Sequence, residues 1–438
     1  MAVGLFLFQQ DLRLHDQRAL MALAGRVDAL LCVYCRDPAS TRPGRYGIAA
    51  MGPLRRRFED QSLAELHRSL LALGQSLHVT EGEPLAALEQ LIRTFKVSVI
   101  GQSRQSGFNE NRRWQTLQAR WPSLTFIETD NHTLFTKDQL PFALDALPPS
   151  FTPFRKRVEA LDIDAPLPSP QTLPPSPSEI AALQAPDTRA RADELFRGGE
   201  PHGLTQLADY FGSEAPSYYK SVRNALQGWD CSTKFSPWLA NGNLSPREIL
   251  RRLRDYENQH GANESTYWIY FELLWREYFH WYARRHGARL FAFSGVKRRS
   301  PLTSFYPQRF QAWTMGSTPY PIVNACMNEL RETGYLSNRG RQIVASCLVH
   351  ELAVDWRYGA AWFEHCLLDY DVASNWGNWQ YLAGVGADPR GHRHFDLDKQ
   401  TRQFDPDGSY IARWQGHVTG PLDHVDAADW PLSTSSRH

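Results

Sequence analysis

Over residues 1–130 short apolar runs alternate with amphipathic stretches, and this alternation restricts the fold more than any other feature of the chain. The apolar runs are Val3 to Phe8, Ala29 to Tyr34, Leu77 to Thr80, Val97 to Gly101 and Leu124 to Ile127. Read as strands with helices between them, they form a βαβα series. That series predicts a five-stranded parallel sheet covered on both faces, a Rossmann-like α/β domain with ligands expected at the carboxyl ends of the strands. A dinucleotide site of the Rossmann type needs G-x-G-x-x-G directly after the first strand. The residues there are Gln9-Gln10-Asp11-Leu12-Arg13-Leu14-His15-Asp16, so the glycines that cradle a pyrophosphate are missing.

From Pro141 to Pro177 the chain carries ten of its 28 prolines, the mark of an extended, locally stiff linker. Beyond about residue 190 the periodicity becomes helical, with long segments at Ser265 to Arg285, Pro321 to Arg331, Arg339 to Leu352 and Ala360 to Asp369. The expected organisation is an α/β domain at 1–135, a proline-rich linker at 136–185 and a larger all-α domain at 186–430. A chain of 438 residues is long enough for two such cores. Lys plus Arg number 48 against 47 Asp plus Glu, which excludes a general polycation and confines any nucleic-acid contact to a local patch. No apolar run reaches membrane-spanning length. Six cysteines, with no signal segment at Met1, point to a soluble protein of the reducing cytoplasm. Cys32 and Cys35 form a C-x-x-C, but inside a strand residues three apart face opposite ways, so a buried core pair is favoured over a redox pair. The remaining cysteines lack metal-ligand spacing, and no metal site is expected.

Several clusters carry chemistry. Ser236-Pro237 and Ser245-Pro246 read as N-caps followed by proline at the first helical position, and the same arrangement suits a phosphate. Glu272, Trp275, Arg276 and Phe279 share a broad helix face, which is either an exposed face with an internal ion pair or the wall of a cavity for a base-like ligand. Ser337 or Asn338 caps the next helix, with Arg341, Gln342 and Ala345 along the same side. Asp371, Asn375 and Trp379 form an i, i+4, i+8 stripe of acid, amide and indole, which has no place in an apolar core unless something polar meets it. Finally, the fifty residues from Tyr278 to Met327 contain no Asp or Glu, yet carry Arg284, Arg285, Arg289, Lys297, Arg298, Arg299 and Arg309 among aromatic residues. That mixture fits phosphate contact with base stacking, or a solvated basic face over an aromatic core.

The blocks Ser232-Thr233-Lys234-Phe235-Ser236-Pro237-Trp238-Leu239-Ala240, Tyr335-Leu336-Ser337-Asn338-Arg339-Gly340-Arg341-Gln342 and Gly384-Val385-Gly386-Ala387-Asp388-Pro389-Arg390 carry a resemblance. With Asp11 to Asp16 and Phe404 to Tyr410 they make the chain resemble the photolyase and cryptochrome family, and more closely its cryptochrome DASH branch. The resemblance implies an all-α domain that holds FAD in a folded shape. It places Tyr219, Thr233, Lys234, Phe235 and Ser236 near the phosphates and ribityl chain, and Arg341, Asp369, Asp371 and Asn375 around the ring. Glu272 joins the flavin set and, with Trp275, Asn338, Gln342 and Tyr381, matches the pocket for a cyclobutane pyrimidine dimer. Trp379 and Trp356 match the inner members of the family's photoreduction chain. Asn109 and Glu110 match the segment that contacts a 5,10-methenyltetrahydrofolate antenna. Arg284, Arg285, Lys297, Arg298 and Arg299 become the expected DNA contacts.

The implied activity is blue-light repair of dimers, preferentially in single-stranded DNA, by a monomer acting as a carbon-carbon lyase. The alternative is a blue-light receptor that uses the same flavin for signalling, against which the end of the chain at His438, without a long tail, is weighed; a third reading is a light-independent nucleotide-binding scaffold. Four positions depart from the family pattern. Thr303 stands where the outermost tryptophan is usual, leaving Tyr306 as a substitute donor. Asn324 replaces an aspartate, Asn241 and Asn243 flank Gly242 in a normally more apolar turn, and Gln9 replaces an arginine.

Overall fold

The computed structural model describes residues 2–177, 194–390 and 393–421. Five strands, β1 (Val3–Phe8), β2 (Ala29–Arg36), β3 (Leu77–Glu81), β4 (Val99–Ser103) and β5 (Thr125–Thr129), form one parallel sheet in the order β3-β2-β1-β4-β5. Helical crossovers between consecutive strands are what make every pairing parallel. The five-stranded parallel sheet and the helical domain after it agree with the sequence reading. Because side chains alternate along a strand, Phe6 and Phe8 enter one core and Leu5 and Leu7 the other. Cys32 joins the first core and Cys35 packs against the second, so the C-x-x-C sulfurs face apart as free thiols. Strands β4 and β5 run one or two residues later than their apolar runs suggest, because the ladder continues through Gln102-Ser103 and Glu128-Thr129.

The proline-rich stretch is more than a linker. It contains the helix Phe151–Val158, whose Phe151, Phe154 and Val158 are buried in the core of the helical domain. Farther on it returns to the sheet domain, where Pro175 O accepts from Leu30 N at 3.0 Å.

The helical domain is built around the helix Glu264–His286. Asn263 caps it by accepting from the amides of Ser265 and Thr266, and Thr266 Oγ1 accepts from Asn263 N in return. Around it lie Pro321–Thr333, Asn338–Ser346, Trp356–Cys366 and Val372–Leu382. Two of these differ from their periodicity. The expected helix Arg339 to Leu352 is α-helical only to Ser346 and widens into a π turn over Cys347–Glu351. The segment expected at Ala360 to Asp369 starts at Trp356, because Asp355 accepts from Arg357 N at 3.0 Å, and ends at Cys366. Among the described residues no helix is long and apolar enough to cross a membrane.

Candidate active site

A cavity of ≈ 350 Å³ opens inside the helical domain. The loop Thr233-Lys234-Phe235, the helices carrying Tyr219, Glu272 and Gln342, and the segment Asp369 to Trp379 all contribute to its lining. The structure thus brings together Tyr219, Thr233, Lys234, Phe235, Ser236, Glu272, Asn338, Arg341, Gln342, Asp369, Asp371, Asn375, Trp379 and Tyr381. These residues are scattered over more than 160 positions of sequence, and only the folding of several helices around Glu264–His286 makes them neighbours.

Two capping assignments separate here. Ser245 caps Pro246–His260, accepting from Arg247 N at 3.1 Å. Ser236 is not a cap: it is the first residue of the short helix Ser236–Ala240, and no side chain caps that helix. Its hydroxyl is left to the cavity. Likewise Ser337 caps Asn338–Ser346, accepting from Gly340 N at 3.1 Å, which releases Asn338 to the cavity mouth. Lys234 adopts a left-handed backbone (φ 57°) and directs Nζ over the Tyr335 ring, 4.7 Å from its centroid.

The polar wall is strongly ordered. Arg341 donates to Asp369 Oδ2 at 2.7 Å and to Leu336 O at 2.8 Å. Asp369 Oδ1 and Gln342 Oε1 are buried acceptors with no protein partner, both on residues that line the cavity. Such orphaned acceptors fit the ring and exocyclic N–H donors of a flavin and of a nucleobase. Asp371 accepts from Ser374 N at 2.7 Å and lies 3.2 Å from His280 Nε2. Burial opposes its charge, but His280 and Arg276 outweigh burial and hold the carboxyl well below the usual range. Asn375 donates to Ala360 O at 3.0 Å, which fixes its amide. Glu272 meets Arg223 at 2.6 Å; burial raises its pKa and Arg223 counters the rise.

Trp275 stacks on Phe151 (3.8 Å, 13°) and meets Tyr381 edge-on at 5.8 Å. The Tyr381 hydroxyl accepts from Arg393, whose Nε also donates to Asp388 at 2.7 Å. Arg223, Tyr335 and Arg393 were not singled out from sequence. Arg276 was noticed there only as part of a helix face. A lone cation such as Arg223 or Arg393 carries no local pattern, and its role emerges only from the carboxylate or phenol it meets.

Other expected residues lie elsewhere. Trp356 is fully buried outside the cavity, with Nε1 donating to Phe293 O at 3.0 Å, and Tyr306 lies beneath Arg309. Asn109 and Glu110 line a second cavity of ≈ 620 Å³ at the carboxyl ends of the strands, together with Gln9, Tyr34 and Gln102. Gln9 donates there to Gln102 Oε1 at 2.8 Å. Arg284 is a correction: it forms an ion pair with Asp130 at 2.7 Å and its side chain is 6 % exposed, so it joins the domains and does not face DNA. The acid-free stretch is neutralised there by an acid 154 residues away. Arg285 donates to Leu147 O, while Lys297, Arg298 and Arg299 are exposed on a loop tied through Lys297 to Val385 O and Asp388 O.

Residues 4–173 match the family model described as DNA photolyase, and residues 268–433 match the FAD binding domain of DNA photolyase. The chain belongs to the photolyase and cryptochrome family. Its relatives place it in the cryptochrome DASH branch. It is 53% identical to cryptochrome DASH of Idiomarina loihiensis over 98% of this chain and 96% of that one. Cryptochrome DASH of Vibrio parahaemolyticus is 50% identical over 100% of this chain and 98% of its own. The crystal structure of a Synechocystis cryptochrome superposes with a TM-score of 0.90 at 39% identity, covering 94% of this chain and 88% of that one. A class III photolyase from Agrobacterium tumefaciens gives 0.80 at 27% identity, over 94% and 86% of the two chains. The FAD-binding domain makes this a flavin-binding protein.

Proposed function

We propose that the protein opens cyclobutane pyrimidine dimers by light-driven electron transfer, with single-stranded DNA as its preferred substrate. The observation that carries this reading is a single cavity lined both by Arg341, Asp369, Asp371 and Asn375 and by Glu272, Asn338, Gln342 and Tyr381. Bound in reduced form, FAD supplies an electron donor that near-UV or blue light excites. Tyr219, Thr233, Lys234, Phe235 and Ser236 hold its phosphates and ribityl chain. Arg341, Asp369 and Asp371 orient the ring, and the neutral amide of Asn375 tunes protonation at N5. Trp275 offers the dimer a stacking surface. Glu272 hydrogen-bonds it and stabilises the negative charge that develops during reaction. Gln342 and Tyr381 make this pocket polar and modest in bulk, so it offsets little of the cost of flipping a dimer from a duplex; an unpaired strand avoids most of that cost. Lys297, Arg298 and Arg299, with Arg285, supply the phosphate contacts at the rim.

In this reading the protein acts as a cytoplasmic monomer, and its second cavity takes 5,10-methenyltetrahydrofolate, whose N–H donors suit the Glu110 carboxylate. The test is dimer loss from an irradiated single-stranded oligonucleotide under blue light with reductant, beside a dark control. Intact dimers after illumination of fully reduced, FAD-loaded protein defeat the proposal. An absorption spectrum of the purified protein reads both cofactors.

A further inference from the structure

Trp356 is fully buried, so a reductant in solution cannot touch an electron vacancy formed there. Thr303, at the position where a tryptophan was expected, is itself buried and has no ring to oxidise. The ring contacts define two ways out, and they end at the same residue. From Trp356 the next ring is Trp376 (5.8 Å), followed by Tyr46 (6.3 Å) and Tyr358 (5.1 Å). From Trp379, whose ring packs over Gly359 one turn beyond Trp356, the next ring is Trp313 (6.3 Å), and Phe310, which is not itself oxidised, fills the gap between Trp313 (6.1 Å) and Tyr358 (5.6 Å). Tyr358 is half-buried, lies two residues after Trp356 on the same helix, and is stacked at 3.9 Å by the exposed ring of Phe305. Tyr46 comes from the sheet domain, so the first route crosses between domains.

We propose that Tyr358, assisted by Tyr46, is the exit residue through which electrons enter the protein to restore its tryptophans. The inference rests on the flavin photoreduction reading, in which Trp379 gives an electron to the bound, light-excited flavin. The vacancy passes to the inner tryptophans and is filled by one electron from the Tyr358 phenol. The O–H bond of Tyr358 breaks, its proton goes to water at the half-exposed edge, and a neutral tyrosyl radical remains. A thiol in solution returns one hydrogen atom's worth of electron and proton, restoring the phenol and leaving a thiyl radical. One electron has then moved from thiol to flavin.

The test uses full-length, FAD-loaded protein with oxidised flavin, illuminated and frozen without thiol for electron paramagnetic resonance. Wild type is expected to show a tyrosyl signal that narrows when ring-deuterated tyrosine is incorporated. Tyr358→Phe is expected to lose that signal, and Tyr46→Phe to diminish it, with unchanged melting temperatures confirming that both variants fold. Photoreduction with thiol present is expected to slow in the Tyr358→Phe protein. A wild-type signal retained in the Tyr46→Phe, Tyr358→Phe double variant overturns the inference, as does its loss in Tyr306→Phe alone. A wild type that forms only a tryptophan radical also overturns it. Dimer splitting by chemically reduced wild-type protein reports on the parent reading independently of all these outcomes.

Discussion

Glu329 illustrates how a single residue couples the helical domain to pH. It is buried on the helix Pro321–Thr333, accepts from the Tyr410 hydroxyl, and faces the charges of Lys234, Arg413 and Arg341. Burial raises its pKa to about 7 against the lowering by those neighbours. A carboxyl whose pKa is higher folded than unfolded contributes stability that is complete below the unfolded value and is lost as pH rises through the folded one. The loss approaches about 1.4 kcal/mol per pH unit between the two values. Glu329→Gln is therefore expected to gain on wild type as pH goes from 5 to 8 in urea unfolding; parallel curves for the two proteins would remove the assignment. At Glu272 the expectation concerns rate: Glu272→Gln slows dimer splitting by about ten- to a hundredfold, the worth of a charged hydrogen bond, with flavin reduction intact. Trp379→Phe does the reverse, impairing reduction while pre-reduced protein still splits dimers; equal loss of both would contradict the division. The residue types of the site were legible from Glu272, Arg341, Asp371 and Asn375, polar groups on faces that should have been apolar. Ser236 keeps its expected place at the cavity and loses only its capping role, whereas the DNA contact expected of Arg284 gives way to an ion pair with Asp130, because a surface cation and an interdomain one look alike in sequence.

At the scale of elements, the cavity depends on how closely three helices approach. Gly377 lets Val372–Leu382 lie against Glu264–His286: a Cβ there would come 2.3 Å from Phe279. Gly359 similarly admits the Trp379 ring, since a Cβ there would come 2.3 Å from it. Gly377→Ala is expected to cost ~1–3 kcal/mol through overpacking and to weaken flavin retention, because the helix that moves carries Asn375 and Trp379. A variant with unaltered melting temperature and flavin content would show that the helices adjust freely. Helix existence was legible from periodicity, but ends were decided by caps such as Asp355 and by the π turn after Ser346. Asn324, standing where an aspartate is usual, uses both ends of its amide: it accepts from Thr318 N (2.8 Å) and Oγ1 (2.7 Å) and donates to Thr318 O (2.8 Å).

For the whole molecule, the loop Gln9 to Asp16 is the seam between domains, and this explains why it lacks phosphate-binding glycines. Gly242 has a left-handed backbone (φ 69°), and a Cβ there would strike Gln10 O at 1.8 Å. Asn243 donates to Leu12 O at 2.9 Å, which accounts for a polar residue in that turn. Beneath it, buried Asp16 accepts from Arg247 Nε at 2.8 Å; Arg13 donates to Gly242 O and Asn131 O, and Glu200 meets His15 at 2.5 Å. Burial alone would raise the Asp16 pKa, but Arg247 and Arg13 bring it below the ordinary value. Asp16→Asn leaves the buried Arg247 guanidinium without its ion-pair partner and is expected to cost ~3–5 kcal/mol in unfolding experiments. A loss below about 1 kcal/mol, the level of an exposed pair, would place this pair outside the energetics of the seam. The sequence by itself determined the parallel sheet, the helical second domain, the family and most residue types of the cavity, because periodicity and contiguous motifs are local properties of the chain. Only the tertiary structure decided that Ser337 and not Asn338 caps its helix and that Ser236 caps none, that Arg284 belongs to Asp130, and that rings from both domains converge on Tyr358. Those outcomes depend on which distant side chain fills each hydrogen bond and each gap, and separation along the chain carries no information about that.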